Sequence, residues 1–174
     1  MNLPVEVGPN LLGALTVFVN GRLRAAVTDR AGAGGALADA VIVIKDQPGV
    51  TADWLGRVLE LSQPGAAHLV RRLLHLGWVE RRAGADARSR SLHLTSLGTN
   101  VAEEILQARH QVLADVVESL STLQREHLVD IAKTLLRPQA RDGEALARLC
   151  RLCDRSCCQE CPVHAGYLDH QTDH

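Results

Sequence analysis

Aromatic residues are scarce in this chain: of 174 residues, two are Trp, one is Tyr and one is Phe. The core therefore has to be built from Leu, Val, Ile and Ala, which favours helices. The sequence also lacks an apolar run of about 18 residues, the length that a membrane-spanning helix needs. Its first residues show neither a basic start nor an apolar stretch before a cleavage site. We expect no membrane span, no signal peptide, a cytoplasmic location and one domain with a single core.

Signatures of catalysis are missing as well. The glycines of residues 31–35 have no preceding strand and no following lysine, so they do not form a phosphate-binding loop. No nucleophile with a plausible base and no paired carboxylates are legible. A thiol oxidoreductase using Cys150 and Cys153 would need a strand-helix-strand context that the sequence does not supply. We therefore expect a protein that is not an enzyme.

The balanced charge of the chain hides a basic segment. Between Leu61 and Thr95, six arginines stand against two acidic residues and give a net charge of +4, whereas the whole chain carries −1 and the remainder therefore −5. A concentrated basic surface is the electrostatic feature that phosphate contacts require.

Two short helices and a hairpin are predicted within this region. Thr51 is placed to cap a first helix, and Ser62, followed by Gln63 and Pro64, is placed to cap a second that ends at Gly77. The second helix repeats apolar residues at helical spacing: Ala66, Leu69, Val70, Leu73 and Leu76. Two strands follow, from Trp78 to Arg82 and from Ser91 to Thr95.

This order is that of a helix-turn-helix with a wing, whose second helix enters the major groove of DNA by its N-terminal end. We predict that the DNA-contacting residues on the second helix are Gln63, Pro64, Ala67, His68, Arg71 and Arg72. A winged helix used only for protein contacts would instead show an acidic or apolar second helix.

The segment resembles the MarR-type winged helix-turn-helix regulators. The resemblance lies in residues 55–62 (LGRVLELS), 69–73 (LVRRL), 77–81 (GWVER), 86–88 (DAR) and 92–95 (LHLT). It implies an intertwined homodimer that binds a pseudo-palindromic operator, most often as a repressor. It also implies that Arg88 of the wing reaches the minor groove, with Arg90 beside it and Asp86 orienting Arg88.

Apolar helices are predicted on both sides of the DNA-reading unit. The chain thus divides into an arm (1–9) with dimerisation helices (together 1–50), the winged helix-turn-helix (51–95), long dimerisation helices (96–149) and a tail rich in cysteine and histidine (150–174). The expected fold is mainly α with a small β wing. The stripe from Val101 to Leu120 is too long for one small domain to cover, so we expect a partner subunit to cover it.

Five cysteines crowd into residues 150–161. Cys150 with Cys153 and Cys158 with Cys161 form two C-x-x-C pairs, which predict a tetrahedral zinc site, structural or sensory. Cys157 and His164 are alternate ligands, and His170 and His174 belong to the same tail. Two alternatives use the same cysteines. In one they form a redox switch, through Cys157 and Cys158 or through the C-x-x-C pairs, and in the other they pack as small apolar residues along a continued helix.

The sequence therefore predicts a dimeric, sequence-specific regulator of transcription that binds double-stranded DNA. The resemblance implies that the signal is a small apolar or phenolic ligand in the cleft between the dimer helices and the DNA unit. The alternative signal is a metal or an oxidant that acts at the cysteines. The alternatives are a redox-active thiol protein and a winged-helix protein-interaction module.

Overall fold

The structure, a computed structural model, describes residues 7–32, 34–83, 90–155 and 161–172. In chain order its elements are α1 (Val7–Ala31), α2 (Ala36–Asp46), α3 (Ala52–Val58), α4 (Gln63–His75), β1 (Val79–Ala83), β2 (Arg90–Leu94), α5 (Ser96–Glu118), α6 (Thr122–Leu136), a 3-10 turn (Arg137–Gln139), α7 (Gly143–Cys150) and α8 (Pro162–Thr172). The predicted class, mainly α with a small β wing, is confirmed.

The predicted helix boundaries have the expected local causes. The Thr51 hydroxyl accepts the Trp54 N–H at 3.2 Å, and the Ser62 hydroxyl accepts the Gly65 N–H at 3.3 Å. Each side chain satisfies a backbone donor that the first helical turn leaves free. Gly77 follows α4 with φ of 70°, a conformation that glycine adopts without steric cost.

The core lies around α2, which is buried along most of its length. Ile42 and Ile44 are fully buried and belong to one cluster with residues of α3, α4, β2 and α5. The largest buried partners from those elements are Leu55, Leu73, Leu92 and Ile105. A core made of branched aliphatic side chains thus joins the helix-turn-helix to the long helix α5.

The wing is a two-stranded antiparallel sheet in which Val79 pairs with Leu94 and Ala83 pairs with Arg90. Its second strand also bonds to the segment before α3. The Gly49 N–H donates to the Leu92 carbonyl, and the Leu92 N–H donates to the Val50 carbonyl, both at 2.8 Å. The wing is therefore held to the start of the helix-turn-helix as well as to its end.

The outer helices α1 and α6 present apolar side chains to solvent. α1 packs along α5, and Arg30 of α1 donates to the Gln107 side chain at 2.7 Å. Residues 7–9, which we predicted to be part of an arm, already belong to this helix. The most exposed apolar residues of the two helices are Leu11, Leu12, Leu15, Val17, Phe18, Leu123, Val129, Ile131 and Leu135.

The C-terminal segment folds back on the domain. Ala140, Leu146, Cys150 and Val163 form a second small core between α7 and α8. α7 ends at Cys150, and Cys153 follows in a turn in which its N–H donates to the Cys150 carbonyl at 2.9 Å. Helix α7 therefore does not continue from Cys150 through Cys153, and the packing alternative, which needs a continued helix, is wrong for these two residues.

None of the helices in the described ranges combines the length and the apolar character needed to cross a membrane.

Candidate DNA-binding surface

The two faces of α4 differ sharply in burial. Ala66, Leu69, Val70 and Leu73 are buried against the core. The six α4 residues that we predicted to contact DNA are all exposed, and they are Gln63, Pro64, Ala67, His68, Arg71 and Arg72. The hydrophobic spacing alone fixes this arrangement, because a helix that buries one stripe must turn the opposite stripe to solvent.

The N-terminal end of α4 is the end available to a groove. Ser62 caps it, and Gln63 and Pro64 stand exposed in its first turn. Arg71 and Arg72 lie two turns further along the same exposed face. The arrangement offers polar side chains at the tip and positive charge behind them, which suits base contacts and phosphate contacts respectively.

The wing adds further arginines beside α4. Arg81, Arg82 and Arg90 are exposed, and Arg82 forms an ion pair with Glu80 of the same strand at 2.7 Å. Arg88 and Asp86, which carry the predicted minor-groove contact, lie outside the described residues. The last residue of β1, Ala83, pairs with the first residue of β2, Arg90.

A cleft of about 230 Å³ lies on another side of the molecule, between α1, α2, α5 and the segment after α7. Arg24, Arg109 and Arg151 reach it, with Asp39 as the acidic residue of its lining. Asp39 bonds to Arg151 at 3.0 Å. Burial raises the pKa of Asp39 above its usual range, and the Arg151 guanidinium only partly offsets that effect.

Three of the five cysteines lie in the described part of the chain, and all three are free thiols. Cys150 is buried, whereas Cys153 and Cys161 are half-buried. A hydrogen bond from the Cys150 thiol, assisted by Arg109, lowers the pKa of Cys153 to about 6, and the same bond together with burial raises the pKa of Cys150. Cys153 is therefore the member of the pair that carries the negative charge.

The predicted metal ligands are only partly visible. Within residues 7–32, 34–83, 90–155 and 161–172, no group of three or more His, Cys, Asp or Glu side chains is arranged to hold a metal ion. Cys157, Cys158 and His174 lie outside those ranges. His164 is exposed and His170 bonds to the Gly166 carbonyl at 2.7 Å.

Sequence reasoning missed the contact between α7 and α3. Arg57 of α3 pairs with Glu144, and Arg148 pairs with Glu60 just after α3, although the partners are more than 80 residues apart in the chain. No local pattern marks such a pair. The charges of these residues are ordinary for exposed helical positions, and only the tertiary fold brings them together.

An exposed, arginine-bearing second helix and an adjoining arginine hairpin define a winged helix-turn-helix protein. The sequence profile of the MarR family matches residues 38–89 of the chain. Transcriptional repressor MprA of Escherichia coli is 32% identical over 83 residues, which are 47% of this chain and 47% of MprA. The match thus spans about half the length of that curated relative.

Solved structures share the fold over a longer stretch. RV1404 from Mycobacterium tuberculosis superposes with a TM-score of 0.68 at 15% identity, covering 78% of this chain and 94% of that protein. A MarR family protein from Bacillus stearothermophilus gives a TM-score of 0.67 at 22% identity, covering 75% and 91%. At these identities the likeness concerns the fold, which extends well beyond residues 38–89.

Proposed function

We propose that this chain is a sequence-specific DNA-binding regulator of transcription, acting as a repressor on a pseudo-palindromic operator. The observation that carries the proposal is the exposed face of α4, with polar residues at its capped N-terminal end and Arg71 and Arg72 behind them. The wing extends the same basic surface. The likeness to MprA, which is named a transcriptional repressor, supports the direction of regulation.

Two copies of the chain form the working unit in this proposal. Ile131 and Leu135 of α6 are 56% and 54% exposed, and Leu11 and Leu12 of α1 are 58% and 53% exposed. An apolar surface of this extent is costly in water and is the usual mark of a protein interface. A twofold dimer presents two copies of α4, which a pseudo-palindromic operator matches.

The experiment that tests this function compares wild-type protein with the Arg88→Ala and Arg72→Ala variants on the same operator fragment. Each variant loses about one phosphate or base contact, so we expect binding to be about 5- to 150-fold weaker, equivalent to ~1–3 kcal/mol, with the melting temperature unchanged. Arg141→Ala, an exposed arginine after the 3-10 turn, is the matched control. Equal affinity of all four proteins would contradict the assignment.

The signal acts, in this proposal, at the cleft between α1, α2, α5 and the segment after α7, and not between the dimer helices and the DNA unit as the resemblance implied. Three arginines against one aspartate favour a negatively charged ligand, and Leu23, Val27 and Leu152 give the same cleft an apolar wall. A small organic acid with an apolar or phenolic body matches both the positive charge and the apolar wall of the cleft. Weaker operator binding when such a ligand is added, and loss of that response in Arg109→Ala, would support the site.

The cysteine tail is proposed to bind one zinc ion through Cys150, Cys153, Cys158 and Cys161, with Cys157 and His164 as alternates. Zinc would close a short segment that has little apolar surface of its own. Metal analysis and a thiol count on reduced protein test this proposal: one zinc per chain and one reactive thiol support it. Absence of metal with five titratable thiols points to the redox alternative.

A regulator that binds chromosomal DNA works in the cytoplasm, and we propose no catalytic activity for it. A redox-active thiol protein would use Cys150 and Cys153 without needing the exposed face of α4. A protein-interaction module would need an apolar or acidic face there, and the exposed arginines argue against it.

A further inference from the structure

Helix α7 lies against the first helix of the DNA-reading pair, and two ion pairs join them. The Arg57 Nε donates to the Glu144 carboxylate at 2.7 Å. On the next turn of α7, Arg148 Nη1 lies 3.2 Å from the Glu60 carboxylate. Arg57 is in α3 and Glu60 is in the corner between α3 and α4, so both contacts act on the helix-turn-helix itself.

The corner that α7 contacts determines how α4 is aimed. Glu60 has φ of 55°, a left-handed conformation that is uncommon for a residue with a side chain. Arg148 also donates to the Arg57 carbonyl at 3.4 Å, so one guanidinium bonds to the backbone at the end of α3 and to the side chain in the corner. These bonds hold the end of α3 and the corner from which α4 continues.

The remainder of α7 is fixed to the body of the domain. Asp142 caps its first turn by accepting the Ala145 N–H at 2.7 Å. Ala147 is 6% exposed and belongs to the main core. Directly after the helix, Arg151 bonds to Asp39 of α2 at 3.0 Å and lines the cleft. α7 is therefore a short, anchored connection between the cleft and the corner.

We propose that Glu144 and Arg148 are positioning residues for DNA recognition, acting through Arg57 and Glu60 to hold the corner so that α4 enters the groove in the productive orientation. This inference rests on the proposed DNA-binding function. Arg57 and Glu60 are exposed whereas Glu144 and Arg148 are half-buried, and ion pairs that reach solvent contribute little to folding stability. Their loss should therefore change sequence recognition much more than it changes the melting temperature.

The test measures the ratio of operator affinity to random-DNA affinity by fluorescence anisotropy, using a fragment that wild-type protein enriches from a random pool. Glu144→Arg places a cation against Arg57, and we expect the ratio to fall about tenfold, the size of one lost base contact. Binding to random DNA should not weaken, because the basic surface remains. Glu144→Gln keeps an oxygen that accepts from Arg57 and should keep most of the ratio.

Asp169→Arg is the matched control, since it makes the same change of charge in a different ion pair. Asp169 lies 2.9 Å from Arg137, and this pair does not involve α3. It should leave the ratio unchanged. Equal ratios for Glu144→Arg, Asp169→Arg and the wild type would overturn the positioning role. Enrichment of an operator by wild-type protein would still support the proposed function in that case. If no sequence is enriched by wild-type protein, the proposed function fails first and this inference with it.

Arg148→Gln provides a second variant should Glu144→Arg fail to fold. It removes the charge that faces Glu60 but keeps an amide donor. A lowered ratio at an unchanged melting temperature supports the proposal, and an unchanged ratio contradicts it.

Discussion

Single side chains decide where the recognition helix begins and which of its faces meets solvent. Ser62 caps the helix, and Pro64 lies in the first turn, where a helix tolerates proline. Gly77 adopts the left-handed conformation that ends the helix. These effects are local, which is why the sequence alone predicted them and the exposed positions between them. The orientation of Arg71 and Arg72 follows from the burial of Leu69, Val70 and Leu73 on the opposite side.

The chemistry of Cys153 is a residue-scale property that spacing does not reveal. Its pKa is lowered from an ordinary 9.0 to about 6, first by the hydrogen bond from Cys150. The thiolate is the nucleophile, and its fraction rises as the pH rises through the pKa. In reduced, metal-free protein we therefore expect alkylation of Cys153 by iodoacetamide to be half-maximal near pH 6.

Cys150→Ala removes the hydrogen-bond donor, so the half-maximal pH for Cys153 should move upward, as measured by mass spectrometry of the peptide that contains it. Cys161→Ala is the control and should leave that pH where it was. An unshifted midpoint in Cys150→Ala would show that the Cys150 thiol does not stabilise the Cys153 thiolate.

At the scale of elements, the wing and α5 are held together by a close approach at Gly98. This glycine is buried in the first turn of α5, and a methyl group there would overlap the Trp78 carbonyl oxygen. That oxygen also accepts the Thr95 N–H at 3.0 Å, so it cannot move freely. Sequence patterns show a glycine early in a helix, but only the fold shows why it has to lack a side chain.

Gly98→Ala should lower the free energy of unfolding by ~1–3 kcal/mol, the usual cost of overpacking. Urea unfolding followed by circular dichroism, at one protein concentration, measures the change. Gly143→Ala at the start of α7 is the control: a Cβ there meets no atom within 4 Å, and we expect a change of at most ~0.5 kcal/mol. A Gly98→Ala variant as stable as that control would contradict the close packing.

At the scale of the whole molecule, the exposed apolar faces of α1 and α6 are the basis of the proposed dimer. Ile131→Glu introduces a charge on the face of α6, and burying it in an interface without a partner would be costly. We expect the variant to sediment as a monomer and to lose operator binding. Leu97→Glu changes a leucine that is 52% exposed at the wing end of α5. This control should remain dimeric.

Periodicity, caps and turn residues thus predicted α1 to α6, the wing and the exposed face of α4, because each depends on residues close in sequence, but they did not predict α7 and α8. The docking of α7 on α3 was beyond such reasoning: Arg57 and Glu144 are 87 residues apart, and their pairing depends on the complete fold. The metal ligands remain a prediction from the sequence, since Cys158 lies outside the described residues.

The most direct test of the account is selection of DNA fragments from a random pool by wild-type protein, followed by titration of the enriched fragment at several salt concentrations. We predict one pseudo-palindromic sequence, bound by two chains about 10³-fold or more tightly than random DNA, with an affinity that falls steeply as salt increases. Enrichment of no sequence, or affinity that is independent of salt, would contradict the conclusion that the exposed face of α4 reads DNA.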